Sequence, residues 1–127
     1  MEKRITEIKN LKPGSFVLID DAPCVVDSIQ ISKAGKHGAA KARIIVKGIF
    51  DSTKRNVVKP GDTRMDVPVI EKKPAQVIAF IGSNVQLMDL ETFETFDVAK
   101  PEDIDIKEGD EVLLWVYGKN ILIKSKK

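Results

Sequence analysis

One cysteine, one histidine, one tryptophan and one tyrosine are all that 127 residues offer of the side chains that most often carry chemistry or stacking. A single cysteine leaves no internal disulfide, and its neighbours in Pro23-Cys24-Val25-Val26 suit a small buried hydrophobe. With one histidine and no cluster of acids beside it or the cysteine, no nucleophilic triad can be assembled. Nor do three or four metal ligands fall at a recognisable spacing. Gly35-Lys36 does not complete a phosphate-binding loop, because His37 stands where Ser or Thr is required and Gln30 where glycine is required. A lysine activated for catalysis needs burial or a neighbouring cation, and Lys36 at an exposed tip with flexible neighbours is poorly placed for that. The expectation is a protein that is not an enzyme, with no catalytic residue, no metal and no bound cofactor.

Long apolar runs are missing too. None approaches the ~20 residues of a membrane-spanning helix, and Met1-Glu2-Lys3-Arg4 leads into alternation, not into a signal-type apolar core. A cytoplasmic protein without membrane contact is expected. Acidic residues are absent from one particular window. Between Ser28 and Phe50 stand Lys33, Lys36, Lys41, Arg43 and Lys47, with no carboxylate among them. Residues 1–70 hold 13 Lys and Arg against 8 Asp and Glu, and residues 71–127 hold 8 against 11, so a net +2 conceals +5 and −3. That asymmetry points to a first half that faces nucleic acid and a second half with a different surface.

What is present is β-type alternation from end to end. Arg4 to Ile8, Phe16 to Ile19, Pro23 to Ile31, Ala42 to Ile49, Thr53 to Lys59 and Thr63 to Val67 read as short strands. Turn signals separate them at Pro13-Gly14, Asp20-Asp21, Asp51-Ser52 and Pro60-Gly61. In the third run, Val25 or Val26, Ile29 and Ile31 supply the apolar face. Val69 to Pro74, charged and bracketed by prolines, is the candidate linker. Beyond it, Ala75 to Ile81, Val85 to Leu90, Phe93 to Val98, Glu111 to Tyr117 and Ile121 to Lys124 make five more strands, and Lys100 to Ile106 has room for one helical turn. Leu87, Met88, Leu90, Trp115 and Tyr117 are expected in the core, a stacking platform at Trp115 and Tyr117 being the alternative. Two small all-β domains, 1–70 and 71–127, are the predicted organisation.

The segment Ser32-Lys33-Ala34-Gly35-Lys36-His37-Gly38-Ala39-Ala40-Lys41 joins two strand-like runs and is cationic, where an ordinary connector is built from Asn, Asp, Ser and Gly. Gly35 and Gly38 accept positive φ and let the chain present Lys36 at a tip. Its partner is expected to be anionic. His37 either contacts its loop neighbours and solvent or helps present Lys36. Lys33, Lys41, Arg43 and Lys47 fit contacts to RNA phosphates better than a merely solvated face.

This loop resembles that of the archaeal and eukaryotic translation initiation factor 5A family, related to bacterial elongation factor P. Pro23-Cys24-Val25-Val26, Lys47-Gly48-Ile49-Phe50 and Val85-Gln86-Leu87-Met88-Asp89-Leu90-Glu91-Thr92 carry the resemblance beyond the loop. It implies an N-terminal SH3-like barrel bearing the loop and a C-terminal OB-fold barrel. It also implies that deoxyhypusine synthase, with NAD as its own cofactor, transfers an aminobutyl group from spermidine to Lys36, hydroxylation to hypusine following in eukaryotes. Ser32, Lys33, Gly35, His37 and Gly38 would present that lysine. The family's modified factor binds the ribosome, near rRNA and peptidyl-tRNA, and helps poor substrates such as consecutive prolines react; for this chain a monomer is expected. Ala34 and Ala39 stand where eukaryotic members commonly have threonine and histidine, which points to an archaeal member. The alternative is an unmodified ribosome- or messenger-associated RNA-binding β-barrel protein.

Overall fold

The computed structural model describes residues 3–33 and 40–127. They form eleven strands and one short 3-10 turn, divided between two compact units, Met1–Val69 and Ile70–Lys127. In the first unit β1 (Lys3–Glu7) pairs antiparallel with β6 (Arg64–Pro68). Next to this ribbon, β2 (Phe16–Ile19), β3 (Ala22–Ser32), β4 (Lys41–Gly48) and β5 (Lys54–Pro60) form an antiparallel sheet in chain order. This is an SH3-like arrangement. The predicted first strand ends at Glu7, and Ile8 turns inward in the 3-10 turn Ile8–Asn10 to join the core.

Alternation explains this sheet most clearly in β4. Ala42, Ile44, Val46 and Gly48 are buried, while Lys41, Arg43, Ile45 and Lys47 are exposed, so each strand residue faces the core or the solvent in turn. In β3 a bulge between Val26 and Ser28 interrupts the period. Val26 is buried and Ile29 packs against the core, but Ile31, expected on the same apolar face, is 52% exposed. It pairs with Ala42, itself buried, and stands one row from the last pair of the two strands, Ser32 with Lys41.

The second unit is a five-stranded sheet in the order β11-β10-β7-β8-β9, formed by β7 (Glu71–Ile81), β8 (Asn84–Asp89), β9 (Thr95–Ala99), β10 (Glu111–Tyr117) and β11 (Asn120–Lys126). The edge strands β9 and β11 approach one another, which curls the sheet into an OB-fold barrel around Val77, Val85, Leu87, Val112, Leu114 and Ile123.

Three expectations are corrected here. The segment from Glu71 to Pro74 is the start of β7 and not a linker; Lys72, Lys73 and Pro74 lie opposite Trp115, Leu114 and Leu113. Proline is tolerated because its carbonyl accepts from Leu90 N–H, at 3.2 Å. The side of Pro74 that lacks an N–H therefore faces β8, at the end of that ladder, and no bond to β10 is lost. Lys100 to Ile106 contains no helix, since Ile104 and Ile106 both reach the core and that spacing of two demands extended chain. Finally, Leu87 and Tyr117 are buried, but Met88, Leu90 and Trp115 are only partly so, and the inward residue beyond Leu87 is Asp89.

Candidate nucleic-acid interface

β3 and β4 are the arms that carry the cationic segment. Their last register pair is Ser32 with Lys41. Below that pair, Ala40 carbonyl accepts from Gly61 N–H at 2.8 Å, and Gly61 carbonyl accepts from Lys9 N–H at 3.1 Å. The clasp is closely packed, since a Cβ at position 61 would stand in van der Waals contact, 3.4 Å from the Ala40 oxygen and 3.6 Å from Lys9 Cβ. The segment thus leaves the barrel from a fixed base. Gly35, Lys36, His37 and Gly38, the expected modified lysine and its presenting neighbours, lie outside the described residues.

The remaining site residues are all on the surface. Ser32, Lys33, Lys41, Arg43 and Lys47 are exposed, and Lys41, Arg43 and Lys47 share the outward face of β4. Pairing extends this face across three strands in four rows: Ser32-Lys41-Pro60, Gln30-Arg43-Val58, Ser28-Ile45-Asn56 and Val25-Lys47-Lys54. Gln30, Ile31, Ser32, Lys41, Arg43 and Val58 line a shallow depression of about 760 Å³ beside the base of the loop. Sequence reasoning did not assign Lys54, Asn56 and Gln30 to the site. The signal was the alternation within Thr53 to Lys59, which is readable only once the register to β4 is known.

Lys47 and Lys54 stand directly opposite one another, and neither has a carboxylate partner among the described residues. Like charges at opposed positions repel, so the isolated fold is better without this pair. A polyanion lying across the face reverses the sign of that interaction, because each cation that meets a phosphate also releases a counterion.

At the far end of β4 the side chains are interlocked. Arg55 Nη2 donates to Asp51 Oδ2 at 2.8 Å and Nη1 to Asp51 Oδ1 at 3.4 Å; Nη1 also lies 3.6 Å from Cys24 Sγ and 3.3 Å from Thr53 carbonyl. The hydrogen bonds from Arg55, with that from Thr53 N–H, hold the Asp51 carboxyl down to about 2. Burial pushes the Cys24 thiol up, so it is a core side chain and not a poised nucleophile. Gly48 makes room for the cluster, since a Cβ there would collide with the Asp51 carboxylate. In the second unit, Lys72 Nζ and Lys124 Nζ lie 5.7 and 4.6 Å from the centroid of the Trp115 ring, occupying its faces with the protein's own cations. Among the described residues no three His, Cys, Asp or Glu gather as cation ligands, and no helix is long and apolar enough to cross a membrane.

An all-β protein with a cationic strand face on its first barrel is what fold and site define. A solved structure of the eukaryotic translation initiation factor 5A from Methanococcus jannaschii superposes with a TM-score of 0.91 at 37% identity, covering 98% of this chain and 95% of that one. A family protein from Naegleria fowleri gives 0.78 at 30% identity, over 100% and 99%. Residues 4–63 match the model of the translation initiation factor 5A-like N-terminal domain. The chain is 48% identical to translation initiation factor 5A of Thermofilum pendens over 98% of both chains, and 46% identical to that of Methanothermobacter thermautotrophicus over 99% of both. The chain therefore belongs to the translation initiation factor 5A family, whose members are translation factors and not enzymes.

Proposed function

We propose that this factor binds the ribosome beside peptidyl-tRNA and promotes peptide-bond formation on poor substrates such as proline runs, through a deoxyhypusine- or hypusine-modified Lys36. The observation that carries the reading is the row of cations Lys41, Arg43 and Lys47, with no carboxylate partner among the described residues, leading into a segment clasped at Ser32–Lys41 and Ala40–Gly61. Such a base suits a tip that must be delivered to one place. In the modification, a C–N bond of spermidine breaks as the Lys36 Nζ–C bond forms, leaving 1,3-diaminopropane; deoxyhypusine synthase is the modifying partner. The longer side chain adds reach and a second protonatable amine for phosphates and 2′-hydroxyls. Ordering the acceptor end of a tRNA supplies positioning, while the ribosome performs the chemistry. Lys33, Lys41, Arg43 and Lys47 hold the first barrel, residues 1–70, to RNA backbone, and residues 71–127 form the second domain. The factor works in the cytoplasm as a monomer.

Substitution at position 36 tests this. Lys36→Arg keeps the charge but cannot accept the aminobutyl group, so it should lose the stimulation of proline-run synthesis in a reconstituted translation assay. Full activity of Lys36→Arg would remove the modification from the account. Equal weakening of RNA binding by Lys33→Ala and Lys36→Ala, without any special effect at 36, would favour the plain RNA-binding reading.

A further inference from the structure

Phe93 has a positive φ of 63° and is 68% exposed, and the fold accounts for neither. A bulky L side chain in the left-handed region crowds its own backbone, which is why glycine or asparagine usually ends such turns. Elsewhere among the described residues the left-handed positions hold glycine, as at Gly14, Gly82, Gly109 and Gly118, or a short polar side chain, as at Asp20, Asp21 and Ser52.

The turn itself is firmly built. Asp89 is buried, and its Oδ1 accepts from the N–H of Glu91 at 2.8 Å and of Thr92 at 3.2 Å. Phe93 N–H donates to Asp89 carbonyl at 2.7 Å, and Asp89 N–H donates to Glu94 carbonyl at 2.9 Å. One of these bonds uses the backbone N–H of position 93, and none uses its ring. Glycine would make them all with less strain, and the ring belongs to neither core. Exposure alone is ordinary for a single apolar side chain; it is the combination with a strained φ at a position glycine would fill better that singles out Phe93.

The surroundings decide the partner's chemistry. Glu91 and Glu94 share the turn with Phe93, two residues before it and one after, and are exposed. Lys73 reaches this turn, but its ammonium is shared at 3.6 Å between Asp89 and Glu71. A ring among carboxylates repels phosphate and suits an apolar pocket rimmed with lysine or arginine. We propose that Phe93 anchors a protein–protein contact, its ring entering such a pocket on a basic protein while Glu91 and Glu94 meet the rim. Only the partner's location rests on the functional reading above: a protein component of the ribosome, and not its RNA.

Two measurements on the full chain test this. Phe93→Gly should raise the melting temperature by about 4 °C, through relief of the positive φ. The same substitution should weaken co-sedimentation with purified archaeal ribosomes about tenfold, a loss typical of removing one buried aromatic anchor. A lowered melting temperature would show that Phe93 serves the fold, and unchanged affinity would show that it touches nothing; either overturns the inference. With the photoreactive amino acid benzoylphenylalanine at position 93, the expected adduct survives nuclease and carries a peptide rich in Lys and Arg. An adduct to rRNA or to a second copy of the factor, or none from a factor that co-sediments, overturns it. A factor that does not co-sediment at all defeats the ribosome reading itself and this partner with it.

Discussion

Lys41, Arg43, Lys47 and Lys54 in the first unit stand on the outward face of a sheet with no carboxylate partner among the described residues. In the second unit, by contrast, Lys73 spans Asp89 and Glu71, and Lys126 reaches Asp110 at 3.2 Å. Both units are small antiparallel barrels of similar length, so the difference is not one of fold. Cations that close turns repay their desolvation locally, whereas cations left opposite one another do so only when an external anion arrives. The first unit is a surface prepared for a polyanion. The second sets Lys73 and Lys126 against carboxylates at its own turns and shows the solvent Glu91, Glu94 and the ring of Phe93.

Core truncation in each unit gives the largest expected effect and asks how separate the two are. Ile44→Ala and Leu87→Ala each remove a fully buried side chain and should cost about 3 kcal/mol in denaturant unfolding. Trp115 fluorescence reports on the second unit, so Leu87→Ala should shift that transition further than Ile44→Ala. Equal shifts would mean that the two barrels unfold as one.

Charge reversal on the cationic face comes next. Lys47→Glu places opposite charges at the register pair with Lys54 and should stabilise the isolated protein by about 0.5 kcal/mol. The same change should weaken ribosome binding about tenfold at low salt and flatten its salt dependence by one to two phosphate contacts' worth. Binding that is unchanged while stability rises would make the face a merely solvated one.

Acid titration should separate the units by a different route. Asp51 titrates near 2 in the folded protein against an ordinary 3.8, so the unfolded chain binds the proton more readily. Its contribution is present above pH ~4 and is lost as pH falls toward 2, by the linkage between protonation and unfolding. Asp51→Asn should flatten the acid limb of the first unit, measured as the urea midpoint against pH. The second unit should keep its own acid limb, because backbone N–H groups hold both Asp89 and Asp110 below the usual carboxylate range. The smallest effect is at the β2–β3 hairpin, where Asp20 and Asp21 have φ of 50° and 65° in a two-residue turn. Asp21→Gly should stabilise the first unit by about 0.5 kcal/mol, since glycine takes positive φ without steric penalty.

Much of this was legible in the residues. Lys41 to Gly48 states its own orientation, because charged and apolar side chains alternate without a break. The turns at Pro13-Gly14 and Asp20-Asp21 are set by local φ preferences and need no tertiary information. What escaped depended on partners distant in sequence. Pro74 reads as a linker residue until the β8 ladder is seen to end beside it, and Ile31 reads as core although it stands one row from the end of the β3–β4 pairing and is half exposed. Lys54 gains its place in the site only through its register with Lys47. The segment Ser32 to Lys41 was the clearest functional signal, because no folding requirement explains three lysines and two glycines there; the role of Lys36 came from resemblance and not from geometry.

The most direct test is the mass of the peptide containing Lys36, taken from protein purified out of its native cells. The account predicts an aminobutyl increment confined to Lys36, with or without one added oxygen. Unmodified lysine at that position throughout the sample would contradict it, and would leave the cationic face of β4 as an RNA-binding surface alone.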